Sequence, residues 1–217
     1  MGMLNTLFKR LLRPPAAGAA AANAWASGEA GSVLDWVARG MLAPPPHAVK
    51  QAVVRAHAVR FGTRVMVETG TYFGAMVEAM KDDFDHIYSI ELSRPLHEKA
   101  AARFRGDARI TLIHGDSGQA LKGVMAGLNQ PALFWLDGHW SDGVTARGAS
   151  NTPVREELAA IFDAAEQPHV VLIDDARDFG RDPEYPAIEE LRLMVRARRP
   201  DYAFSVDADI IRIHPRS

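Results

Sequence analysis

The chain has no cysteine among its 217 residues. That absence excludes a disulfide framework, a thiolate zinc site, iron–sulfur ligation and thiol catalysis. Long apolar runs are missing too, and no stretch approaches the ~20 residues needed to span a bilayer. Neither sign of charge dominates. Lys and Arg total 25 and Asp and Glu total 27, a formal net charge of −2, so there is no broad basic footprint for nucleic acid. What is present is an ordinary globular composition, 47% hydrophobic and 24% charged. A chain of this length makes one domain, or one domain with an appendage, and buries a core that needs no covalent or metal staple. These features point to a cytoplasmic protein with a small-molecule partner and no membrane span; they leave a homo-oligomer open.

The beginning of the chain carries three weak signals. Met1-Gly2-Met3-Leu4-Asn5-Thr6 fits the loose myristoylation pattern, which is short enough to arise by chance. Lys9, Arg10 and Arg13 precede an Ala-rich stretch, as in a signal peptide, but Pro14-Pro15 interrupt it and alanine makes a poor apolar region. Met3 to Leu12 has the pattern of a basic amphipathic helix, for which packing on its own domain is the simpler role. Residues 14–31 read as an Ala/Gly-rich linker. Val33 to Met41 reads as a short helix ended by Pro44-Pro45-Pro46, and Ala48 to Phe61 as a helix ending at Gly62. The expected division is a helical, Ala-rich extension over 1–50 and one domain over 51–217.

From Arg64 onward short β-branched runs alternate with helical patterns. Strands are expected at Val65–Glu68, His86–Glu91, Ile110–His114, Ala132–Asp137 and Val170–Asp174. Helices are expected near 74–82, 95–105, 117–127, 153–165 and 186–198. Two closing strands, Tyr202–Val206 and Ile210–His214, flank a tight turn at Asp207–Asp209. Apolar strands alternating with helices make a parallel sheet covered on both faces. The fold class is therefore α/β, a doubly wound, mostly parallel, seven-stranded Rossmann-like sheet with a C-terminal antiparallel hairpin.

The first strand runs into Glu68-Thr69-Gly70-Thr71-Tyr72-Phe73-Gly74. Gly70 and Gly74 allow a sharp turn and close approach to a ligand, which doubly wound folds bind outside the carboxyl end of this strand. The spacing is G-x-x-x-G, not the G-x-G-x-x-G of the pyrophosphate fingerprint. A carboxylate at Glu68 repels a pyrophosphate and attracts an ammonium. Glu91 closes the second strand, where an acid accepts from ribose hydroxyls. Asp116, followed by Ser117, ends the third strand, where it can accept from an adenine amino group. Any one of these acids alone is an ordinary cap or loop residue; three at successive strand ends are a pattern.

The run from Glu68 through Asp116 resembles motifs I, II and III of the class I S-adenosylmethionine-dependent methyltransferases, and the resemblance covers roughly residues 60–217. It departs from the family pattern at Tyr72, which stands where a middle glycine is usual. The resemblance implies a cofactor site for S-adenosylmethionine drawn from Glu68, Gly70, Tyr72, Gly74, Glu91, Asp116, Ser117 and Asp137.

A second constellation lies further on. Asp137 ends the fourth strand and is followed by His139; Asp174-Asp175 end the fifth. In the order 3-2-1-4-5 these strands are neighbours, so the acids share one crevice. Close carboxylates raise each other's pKa or recruit a cation, and an all-oxygen set suits Mg²⁺ or Mn²⁺ better than zinc. The arrangement is similar to metal-dependent O-methyltransferases of the catechol and macrocin (sugar) types. That resemblance implies Asp137, Asp174 and Asp175 as metal ligands and Asp137 and His139 as catalytic residues, His139 being the general base, although its spacing from Asp137 is one residue shorter than in the sugar enzymes. Trp135 and Trp140 read as packing residues ahead of substrate platforms. The long loop from Ser141 to Pro153, with Arg147, suits acceptor specificity, and Glu156-Glu157 suit the first turn of a helix.

The expected activity is thus O-methylation of a small polyhydroxylated acceptor, a sugar or catechol-like diol. Two rivals remain at this level. An NAD-dependent oxidoreductase lacks its G-x-G-x-x-G and a Tyr-x-x-x-Lys pair here. A non-catalytic S-adenosylmethionine-binding module would leave the acid cluster without a role.

Overall fold

The computed structural model describes residues 31–138, 152–163, 167–181 and 183–216. The expected linker and N-terminal helix before residue 31, together with His139, Trp140, Arg147 and the loop from Ser141 to Asn151, lie outside the described residues. Residues 31–38 are helical, and the Trp36 indole in this segment donates to the Leu42 carbonyl at 2.7 Å.

Seven strands form one sheet: β1 (Val65–Thr69), β2 (His86–Glu91), β3 (Ile110–His114), β4 (Ala132–Leu136), β5 (Val170–Ile173), β6 (Tyr202–Asp207) and β7 (Ile210–Pro215). Their order is β3-β2-β1-β4-β5-β7-β6. The first five are parallel, and β7 enters antiparallel between β5 and β6. The order reverses at β1, whose two sides carry β2 and β4. A doubly wound sheet opens its ligand crevice at such a switch, outside the carboxyl ends of the strands.

The central strands β1, β4 and β5 are buried at every position, as expected of parallel strands covered on both faces. Alternation of side chains divides them between two cores. Val65, Val67, Phe134, Leu136, Val171 and Ile173 face one side. There α4 (Ser117–Gly127), α5 (Val154–Asp163) and α6 (Ile188–Arg198) pack with Leu121, Leu158 and Leu191. Met66, Leu133, Trp135, Val170 and Leu172 face the other. There α1 (His47–Phe61), α2 (Ala75–Met80) and α3 (Arg94–Arg103) supply Val54, Ala58, Val77, Met80 and Ala100. Each fully buried apolar side chain contributes about 1.5–3 kcal/mol.

Residue 50 lies inside α1, so the division drawn between 50 and 51 falls within a helix that packs on the sheet. Among the described residues no helix is long and apolar enough to cross a membrane.

Candidate active site

The strand alternation that builds the α1-side core also aims the acids. Met66 is followed two residues later by Glu68, Trp135 by Asp137 and Leu172 by Asp174, so three buried apolar series on one face each end in a carboxylate. Register sets the ends level. Thr69 pairs with Leu136, and Leu136 with Ile173. The ladder runs one step further, with the Asp137 amide donating to the Thr69 carbonyl and the Asp174 amide to the Leu136 carbonyl, both at 3.0 Å. One oxygen from each of Asp137, Asp174 and Asp175 lies within 4.8 Å of the others. The acids expected at neighbouring strand ends do come together there.

A fourth charged residue meets them. Lys50 stands four residues before Val54 and eight before Ala58, on the stripe by which α1 packs against the sheet. Its ammonium donates to Asp174 Oδ2 and lies 3.5 Å from Asp175 Oδ1. The Asp174 side chain is wholly buried and its Oδ1 has no hydrogen-bond partner. Asp175 adopts the left-handed conformation, φ 54°, which Asp tolerates better than most residues. Arg177 Nη1 holds its Oδ1 at 2.9 Å and also pairs with Asp209 of the β6–β7 turn.

The electrostatics follow from this crowding. Burial, then the neighbouring Asp174, push the Asp137 carboxyl well above the usual carboxylate range. Burial and Asp175 raise Asp174 against the opposing pull of Lys50. Burial alone depresses the Lys50 ammonium, but the Asp174 carboxylate beside it outweighs burial and holds it above its ordinary value. The donor set would fit a hard divalent cation: all three candidate ligands are carboxylates, and two oxygens ~2.1–2.4 Å from one ion lie up to ~4–5 Å apart.

The glycine turn after β1 lies beside this corner. Gly70 has φ +84°, and a Cβ there would stand 2.3 Å from the Asp137 carbonyl oxygen. Gly74, φ +74°, precedes α2, and a Cβ there would meet the Phe104 ring at 2.6 Å. Both glycines are thus required by conformation and by contact. Tyr72, at φ 50°, is half-exposed, and its amide donates to Glu91 Oε2 at 2.8 Å. Glu91 Oε1 accepts the Ser93 amide at the same distance, so Glu91 ties the glycine turn to the end of β2. Glu68 is buried and accepts from Ser89 Oγ, which also bonds Thr71 Oγ1 at 2.6 Å. Burial pushes Glu68 up to about 8. Asp116 is the N-cap residue of α4 and makes no side-chain cap bond. Ser117 Oγ donates at 2.6 Å to Glu157 of α5, a buried acid raised by burial to about 7. Trp135 is 1% exposed and is a core residue.

Sequence reasoning passed over Lys50 and the burial of Glu157. The Lys50–Val54–Ala58 spacing carried the signal for the first: a lysine heading the stripe that meets a carboxylate-tipped sheet face. For the second the sequence offers only a second acid in a helical first turn, which is normally solvated.

No family model matches the sequence, and no curated protein matches it. The fold, by contrast, is shared with solved methyltransferases. An O-methyltransferase from Bacillus cereus, solved in complex with SAH, superposes with a TM-score of 0.60 at 13% identity, over 88% of this chain and 91% of that one. TomG from Streptomyces achromogenes, an O-methyltransferase of tomaymycin synthesis solved with SAM, gives 0.58 at 15% identity, over 87% and 89%. The methyltransferase PaMTH1 from Podospora anserina, solved with SAH, gives 0.56 at 16% identity, over 78% and 79%.

Proposed function

We propose that the chain transfers a methyl group from S-adenosylmethionine to a hydroxyl oxygen of a small polyhydroxylated acceptor, a sugar or a catechol-like diol. The observation that carries this reading is the double part played by Asp137. Its backbone carbonyl packs against Gly70 of the nucleotide cradle, while its carboxyl belongs to the acid corner with Asp174 and Asp175. A cofactor seated on the glycine turn and an acceptor seated at the acids would therefore lie side by side. The likeness to structures solved with SAM or SAH supports the cofactor half of this reading.

Methyl transfer is an in-line displacement, and effective positioning is a large part of its catalysis. Glu91 fixes the turn through the Tyr72 and Ser93 amides, and its carboxylate is the group that would accept from ribose hydroxyls. Asp116 and Ser117, after the third strand, are the residues that would meet the adenine, and Glu68 the acid that would attract the ammonium of the methionine moiety. Asp137, Asp174 and Asp175 are the residues that would hold a divalent cation, which would supply Lewis acidity there. His139, two residues past Asp137, is the residue we assign to take the acceptor's proton.

Calorimetry and turnover test the reading together. S-adenosylhomocysteine should bind in the micromolar range and NAD should not. Turnover on vicinal diols should stop in excess chelator and return with Mg²⁺ or Mn²⁺, and H139A should slow it about 10²–10⁴-fold. Binding of NAD without S-adenosylhomocysteine would overturn the methyltransferase reading. Full activity in chelator would remove only its metal component.

A further inference from the structure

We propose that Lys50 is a tethered cation of the acid corner, and that a divalent ion binds there only by displacing its ammonium. The inference rests on reading Asp137, Asp174 and Asp175 as the metal ligands, and adds what this chain sets against the metal.

Geometry makes the two cations exclusive. The Lys50 ammonium already uses Asp174 Oδ2 and stands 3.5 Å from Asp175 Oδ1. An ion drawn to the same three carboxylates would share those oxygens with a like charge only a few ångströms away. Two like charges at that distance repel by an amount worth orders of magnitude in affinity, even at the effective dielectric of a protein surface. Asp174 cannot turn outward to serve both, because its side chain is wholly enclosed. Its Oδ1 has no partner while Lys50 is in place. Even with the Lys50 ammonium on Asp174 and the Arg177 guanidinium on Asp175, Asp174 Oδ1 is left without a partner, and a ligand with more coordination sites would find an oxygen there.

Lys50 is also able to leave. It sits in the first turn of α1, and its side chain keeps 16% of its surface exposed. A four-carbon stem can carry its ammonium to solvent while the helix stays packed through Val54 and Ala58. Metal affinity in this chain is therefore set by a competition, and the competitor lies outside the strand ends that supply the ligands.

The test is Mn²⁺ binding to the full chain, read from the free-ion electron paramagnetic resonance signal. It compares wild type with K50M, K50Q and K50R, and with D174N in the K50M background. Removing the charge should tighten Mn²⁺ binding about ten-fold or more in both K50M and K50Q, a tenfold change being about 1.4 kcal/mol. K50R should stay near wild type, and D174N should abolish the gain. Retained binding of S-adenosylhomocysteine certifies that each variant is folded. If wild type and both neutral variants bind Mn²⁺ with equal affinity, the metal site stands and the displacement idea falls. If none of them binds Mn²⁺ up to millimolar concentration, the metal reading falls and takes this inference with it.

Discussion

Replacing Gly70 by alanine tests the claim that one residue, Asp137, belongs to two halves of a site. The added Cβ would stand 2.3 Å from the Asp137 carbonyl oxygen and 2.8 Å from its carbon. Both are backbone atoms held in the sheet ladder, with the Asp137 amide bonded to Thr69, so neither can swing away as a flexible side chain would. Forcing a Cβ at φ +84° costs about 1–2 kcal/mol in backbone conformation, and overpacking a closed contact adds about 1–3 kcal/mol. Gly70→Ala should therefore lose roughly 2–5 kcal/mol, a large share of the ~5–15 kcal/mol that holds a domain together. Gly123 in α4 is the control, since nothing lies within 4 Å of a Cβ there. Gly123→Ala should be neutral or stabilising by up to ~1 kcal/mol, because alanine restricts the unfolded chain and favours helix. Urea titrations of the two variants should shift their midpoints in opposite directions at similar slope. Equal stability of Gly70→Ala and Gly123→Ala would refute the close packing of the cradle against Asp137. With it would go the observation that carries the proposed function.

Two further outcomes are expected. Burial raises the folded-state pKa of Glu68 from an ordinary 4.5 to about 8, so the protonated form is favoured by folding. Its contribution is fully present below about pH 4.5, diminishes as pH rises, and is gone above about 8. Glu68→Gln should flatten the loss of melting temperature between pH 5 and 8.5, and an unchanged slope would sink this account. Glu91→Ala should weaken S-adenosylhomocysteine binding by about 1–3 kcal/mol, the scale of lost charge-assisted hydrogen bonds, measured by calorimetry. Wild-type affinity in that variant would remove Glu91 from the cofactor site.

The fold was legible because its signals are local. β-branched runs bounded by helical patterns gave all seven strands to within a residue at each end. The order 3-2-1-4-5 follows once the sheet is parallel and doubly wound. The acid corner was legible in composition, because Asp137 and Asp174-Asp175 end strands that the topology makes neighbours. Its charge balance was not. Lys50 lies 124 residues from Asp174 and reaches it only because α1 packs across the sheet, a tertiary contact with no sequence pattern beyond a four-residue spacing. Proline-rich residues before it invited a domain limit at 50, which falls in the first turn of that helix. Glu157 looked like a helix-start acid and does occupy the first turn of α5, yet packing of α5 against α4 buries it on Ser117.

The insertion of β7 between β5 and β6 sets an order of events on the ribosome. The amides of Ala176 and Arg177 donate to Asp209, and Arg177 grips both Asp209 and Asp175. Asp209 is synthesised 32 residues after Arg177, and β7 follows it. A nascent chain can therefore lay down its five parallel strands, with Asp137 and Asp174 in register, before the brace that fixes Asp175 has left the exit tunnel. A product cut short before Asp209 would lack the partner that Arg177 shares with Asp175, so the three acids would stand together without the brace that fixes the last of them.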